Sequence, residues 1–140
     1  MRVLAIDTAL EACSAAVLDT ELGTIIAHEL LPMLRGHAEA LLPLIARVMD
    51  RAGLEFAVLD RIAVTTGPGS FTGLRVGIAA ARGIALAAGK PAVGLSTLAA
   101  YAAPLIAADD TLPVVAVIDA LATARIPRPP PPAAAFSITG

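Results

Sequence analysis

Two segments carry residue types able to hold a phosphate group. In the first, Asp7-Thr8 closes an apolar run that begins at Arg2, and Ser14 lies on the next apolar run. A carboxylate there can position a metal-bound water, while hydroxyl and backbone N–H groups hold phosphate oxygens. The second is Thr66-Gly67-Pro68-Gly69-Ser70-Phe71-Thr72-Gly73-Leu74-Arg75-Val76-Gly77. Here a strand ends in a glycine turn, Ser70 can cap the helix that follows, and donor N–H groups at the helix start suit an anion. A tight strand-to-helix joint that holds no ligand fits the same residues. The phosphate-site candidates are therefore Asp7, Thr8, Ser14, Gly67, Gly69 and Ser70.

Other chemistries lack a partner group. A metal pair one helical turn apart needs a second ligand four residues after His37, where this sequence has Leu41, and the remaining histidine, His28, falls on a predicted strand. No metal site is expected, and His37 is expected to cap or pack at a helix start. A serine or cysteine nucleophile at Ser70 or Cys13 would need a nearby base. Cys13 reads as a small core residue. Arg75 suits a phosphate, a partner carboxylate or solvent equally.

The elements that must position these residues follow from periodicity. Arg2–Asp7 reads as a strand buried on both faces, with further strands at Cys13–Leu18 and Gly23–Leu30 after turn-like residues, an antiparallel meander. From His37 to Ala52 the period becomes helical, with Leu41, Leu42, Ile45, Val48, Met49 and Ala52 along one face. Pro43 is expected to bend that helix or to make it start nearby, and Gly53 to end it. Arg61–Thr66 reads as a strand and Phe71–Ala88 as a helix whose stripe is Leu74, Ile78, Ala81 and Ala85. Gly73 and Gly77 leave room for close approach of a neighbouring helix, and packing must offset their cost of about 1 kcal/mol each relative to alanine. Strands at Pro91–Leu95 and Leu112–Asp119, separated by a helix over Thr97–Ala107, complete an α/β mixed sheet covered by helices.

Composition narrows the setting. The 140 residues are 57% hydrophobic and carry a net charge of −2, so one core is sustainable and a second is not expected. A lone cysteine excludes disulfide stapling and predicts a reducing cytoplasm. Ten basic residues against 12 acidic ones, without a basic run, leave nucleic-acid contact to a partner's charge. The longest uncharged stretch, Pro91–Ala108, contains two prolines, Gly94, Ser96 and Thr97, and so reads as a buried strand and helix, not a membrane span.

Together with Ala5-Ile6-Asp7-Thr8 and Arg35-Gly36-His37-Ala38-Glu39-Ala40-Leu41-Leu42-Pro43, the long glycine motif resembles the TsaB (YeaZ) family, from Met1 to about Asp119. That resemblance implies an actin-like, Hsp70-like (ribonuclease H-like) fold, of which this chain is one domain of two. It implies a non-catalytic subunit in making threonylcarbamoyladenosine at position 37 of tRNA. Its implied partners are a TsaD-like catalytic subunit and a TsaE-like ATPase, with tRNA reached only through the complex. No cofactor is expected to bind this chain firmly, and ATP or ADP is expected only in the assembly. The superfamily's first phosphate loop has glycine two residues after its aspartate, where this chain has Ala9. The catalytic relative has a His-x-x-x-His metal pair in the corresponding helix, which Leu41 interrupts here, and the same gap opposes a metallopeptidase.

By resemblance, the helices from His37 and Phe71 form the partner contact, giving His37, Leu41, Leu42, Ile45, Phe71, Thr72, Gly73, Leu74, Arg75, Gly77, Ile78 and Ala81 as interface candidates. The same helices could pair with a second copy, so a self-associating domain is one alternative. A nucleotide-dependent phosphotransferase or ATPase is the other. After Asp119-Ala120 the family pattern breaks, and residues 120–140 are rich in proline and alanine. That tail is expected to be extended or disordered and to mark a frame shift or truncation, with a natural tail for a proline-recognising partner as the alternative. The excess hydrophobicity is then expected to cover partner helices and a second domain.

Overall fold

The structure, a computed structural model, describes residues 1–109, 111 and 113–118. Three strands, β1 (Arg2–Asp7), β2 (Ala12–Asp19) and β3 (Thr24–Pro32), form the expected antiparallel meander. Helix α1 (His37–Ala52) and a short 3-10 turn lead to β4 (Arg61–Thr65), and α2 (Phe71–Ala88), β5 (Ala92–Leu95) and α3 (Thr97–Ala108) follow. The sheet order is β3-β2-β1-β4-β5, with β4 parallel to both β1 and β5. This mixed sheet flanked by helices is the α/β actin-like arrangement.

The core lies between one sheet face and the α1–α2 pair. Leu4 and Ile6 of β1 and Cys13, Ala15 and Val17 of β2 point into it, as the two-residue period of a strand requires. From α1 it receives Leu41, Leu44, Ile45, Val48 and Met49, and from α2 Ala81 and Ala85. Gly53 closes α1 in the left-handed conformation and Gly89 does the same for α2.

Several expectations are corrected. β1 is buried on one face only: Val3, Ala5 and Asp7 are half-exposed because the opposite face of the sheet is largely open. Leu42 leaves the buried stripe of α1 for solvent, and Leu44 takes its place on the sheet side. Pro43 neither starts nor ends α1, which runs through it with the ring on the exposed side. β5 and α3 are mostly exposed, not buried, with Thr97 the one buried residue of α3.

No strand forms over residues 113–118, the described part of the run predicted as Leu112–Asp119. Val114 to Ile118 instead line a small pocket together with Leu10, Tyr101 and Leu105, with Val115 and Val117 exposed. The 120–140 tail expectation lies outside the described residues. α2 is the one described helix long and apolar enough to cross a membrane, and its small residues pack on the chain's own sheet.

Candidate functional site

The C-terminal ends of β1, β4 and β5 and the N-termini of α1, α2 and α3 meet at one edge of the sheet. Asp7 ends β1 there, opposite Ser14 across the β1–β2 ladder and beside Thr65 of β4. One Asp7 carboxylate oxygen, Oδ1, accepts from the Ala9 N–H at 2.9 Å and from the Thr65 hydroxyl at 2.7 Å. The carboxylate therefore closes an Asx turn and ties two strands. Ser14 donates towards the Asp7 main-chain oxygen over 3.4 Å, a long contact that adds little.

Thr8 is fully buried, and its hydroxyl donates to the Gly73 carbonyl at 2.7 Å. That pairing ties the β1–β2 loop to the first turn of α2 and commits the Thr8 hydroxyl proton within the chain. Gly69, Gly73 and Gly77 explain how the two approach: a Cβ at Gly69 would strike the Ala9 carbonyl, one at Gly73 the Thr8 carbonyl, and one at Gly77 the Thr8 hydroxyl. The small stripe of α2 thus admits the chain's own loop, not a neighbouring helix. Gly67 has a positive φ, and its carbonyl receives the Thr97 N–H at 2.9 Å.

Ser70 caps α2, its hydroxyl accepting from Gly73 N–H at 3.3 Å, while its own N–H donates to the Ala9 carbonyl at 2.6 Å. Two donors expected to face an anion are thereby occupied within the chain. Gly67, Gly69 and Ser70 also lie apart from the cavity of about 320 Å3 on the open sheet face, which Asp7, Ser14, Thr65 and His28 line. The six phosphate candidates do not converge on one concave site. Tyr101, not singled out from the sequence, lies near Asp7: burial first, and then the Asp7 charge, push its phenol pKa up.

The partner-face candidates divide sharply. His37, Leu41, Ile45, Gly73, Gly77 and Ala81 are buried in the chain's own core. Their side chains are taken up by the chain's own packing, which leaves them little surface to offer a partner. Leu74 and Ile78 are half-buried, and Leu42, Phe71, Thr72 and Arg75 are exposed. Phe71 is 69% exposed, and the Arg75 guanidinium lies 3.8 Å from its ring centroid, a surface cation–π pair. His37 packs at the start of α1 without capping it, because Gly36 occupies the cap position. Among the described residues no three His, Cys, Asp or Glu side chains cluster as a metal site would require.

A family model described as TsaD, tRNA N6-adenosine threonylcarbamoyltransferase, matches residues 25–126. The chain belongs to the TsaD family. It is similar both to TsaB proteins and to threonylcarbamoyltransferases. Escherichia coli TsaB, a tRNA threonylcarbamoyladenosine biosynthesis protein, is 43% identical over 121 residues, covering 86% of this chain and 51% of that protein. A tRNA N6-adenosine threonylcarbamoyltransferase of Erythrobacter litoralis is 46% identical over 78 residues, 56% of this chain and 23% of the relative. YeaZ from Pseudomonas aeruginosa superposes with a TM-score of 0.68 at 35% identity, covering 79% of this chain and 50% of that one. The TsaB/YeaZ resemblance of the sequence is thus supported as a partial chain, which spans about half the length of the TsaB relatives it matches.

Proposed function

We propose that this chain is the N-terminal actin-like unit, residues 1–119, of a TsaB-type subunit that serves threonylcarbamoylation of tRNA at position 37 without catalysing it. The observation that carries the proposal is the 43% identity to TsaB, aligned over most of the chain. The site geometry agrees with a non-catalytic role: Asp7 and Thr8 hold strands and a helix together, and Leu41 replaces a histidine ligand. In this reading a TsaD-like catalytic subunit seats on the exposed outer face of α1 and α2, at Leu42, Phe71, Thr72 and Arg75. A TsaE-like ATPase and tRNA join through that complex, and any ATP or ADP binds in the assembly.

Co-purification with a TsaD-like subunit tests the contact. The chain is expected to bind, and a Phe71→Glu variant to lose binding at least tenfold while a Leu22→Glu control keeps it. Failure to bind, while a full-length TsaB binds, would overturn the proposal for this chain.

A further inference from the structure

Helix α2 carries a second stripe on the side away from its own sheet. Phe71, Arg75, Ala79, Arg82 and Leu86 are all exposed, and at about 100° per residue they fall within about 80° of one another around the helix. The last four follow one another at intervals of four, three and four residues, the spacing by which one helix packs along another. Resting on the TsaB-type reading above, we infer that this seam docks a helix of the catalytic subunit that presents two carboxylates one heptad apart, one to Arg75 and one to Arg82.

Charge decides what can cover the seam. α2 contains no Asp or Glu, and among the described residues no carboxylate pairs with Arg75 or Arg82. The arginines of α1 differ, since Arg47 and Arg51 are already held by Glu29 of the same chain. The whole chain has a net charge of −2, so the positive charge of α2 is local to that helix. A purely apolar helix laid on the seam would strip water from two guanidinium groups with no compensating charge, a cost that facing carboxylates offset. A second α2 would set arginine against arginine. Phe71, 69% exposed, and Leu86, 85% exposed, bracket the arginines with apolar surface that suits a protein helix and not a phosphate backbone.

Geometry sets the spacing. Arg75 and Arg82 lie seven residues apart, about 10 Å along the axis, and the same interval on a parallel or antiparallel partner helix spans the same distance. The Arg75 guanidinium already lies 3.8 Å from the Phe71 ring centroid, so the ring holds it on the seam and less side-chain freedom is lost on binding. Ala79, between the two arginines, leaves room for one apolar side chain of the partner.

Calorimetric titration of the full 140-residue chain with a full-length TsaD-like subunit tests the charge. Arg75→Glu combined with Arg82→Glu is expected to raise Kd at least about tenfold while circular dichroism stays native. Arg75→Lys combined with Arg82→Lys keeps the charge and is expected to stay within about fivefold of wild type. Each lysine substitution alone also places an amine on the seam, in a chain whose own lysine is Lys90 alone. Zero-length carbodiimide coupling is expected to join the two positions to two acidic residues of the subunit, seven residues apart on one helix, with wild type coupling at neither position.

Undiminished binding by the double glutamate variant, or coupling to acidic residues that do not share a helix at that interval, would overturn the seam and leave the proposed function standing. A wild-type chain that does not bind the subunit at all removes both. Binding that requires tRNA and is abolished by ribonuclease would give the two arginines to phosphates and overturn the carboxylate pairing.

Discussion

The hydroxyl of Thr8 donates to the main-chain carbonyl of Gly73 at 2.7 Å, from a loop after the first strand to a helix 65 residues further on. This bond requires the helix backbone to lie almost against the loop, which only residues without a Cβ allow. The motif that looked like a ligand cradle is, in the folded chain, the contact surface between two of its own elements.

Gly73→Ala and Gly83→Ala are therefore expected to differ in sign. A methyl at Gly73 meets the Thr8 backbone, which cannot move away without disturbing β1, so a loss of about 1–3 kcal/mol is expected. At Gly83 nothing lies within 4 Å, and the higher helix propensity of alanine is expected to add about 0.5–1 kcal/mol. Urea unfolding of both variants measures the difference. Equal effects would contradict the loop contact.

Asp7→Asn and Asp7→Ala separate acceptor from charge. Asparagine keeps an oxygen for Ala9 N–H and Thr65, whereas alanine leaves both donors unpaired at a part-buried position, costing about 1–3 kcal/mol. Near-wild-type unfolding of the asparagine variant, and a clear loss for alanine, are expected. The same two variants in a reconstituted modification reaction should track stability alone, since the proposed role of Asp7 is structural.

Glu29 links stability to acid pH. Its hydrogen bond to Arg47, with added attraction from Arg47 and Arg51, holds its carboxyl below the ordinary range. A depressed folded-state pKa means the contribution is complete above the ordinary carboxyl value and is lost as pH falls through the lowered one. Arg47→Ala is expected to lower the unfolding midpoint at neutral pH, with the gap to wild type closing on acidification. A gap that stays constant into strong acid would exclude the ion pair as its cause.

Cys13 is expected to resist labelling in the native chain. Burial first, and the nearby Glu29 charge second, push its thiol pKa up, and the thiolate is the reactive form. A thiol reagent at pH 8 should modify it slowly without denaturant and rapidly in guanidinium. Fast native labelling would mean that β2 opens readily from the sheet.

Much of the architecture was legible because strands and helices are written locally. The bounds of α1, with Gly53 after it, and of α2, with Ser70 before it, follow from spacing and caps, and the meander from short apolar runs between turn residues. The run from Leu112 misled because valine-rich sequence records a preference for burial and extension. It does not record whether a neighbouring edge is available, and residues 113–118 join none.

The candidate site was less legible for the same reason. Residue types and spacing by themselves determined the α/β class, the family resemblance, the missing second ligand after His37 and a serine cap at the start of α2. Only the tertiary structure decided what the hydroxyls and glycines of the two motifs face. Thr8 and Gly73 are both compatible with a phosphate in isolation, and which partner they take depends on how closely β1 and α2 are stacked by the core between them. Likewise Leu41 and Leu42 are identical in type and adjacent in sequence, and a rotation of about 100° per residue on the helix sends one into that core and the other to solvent.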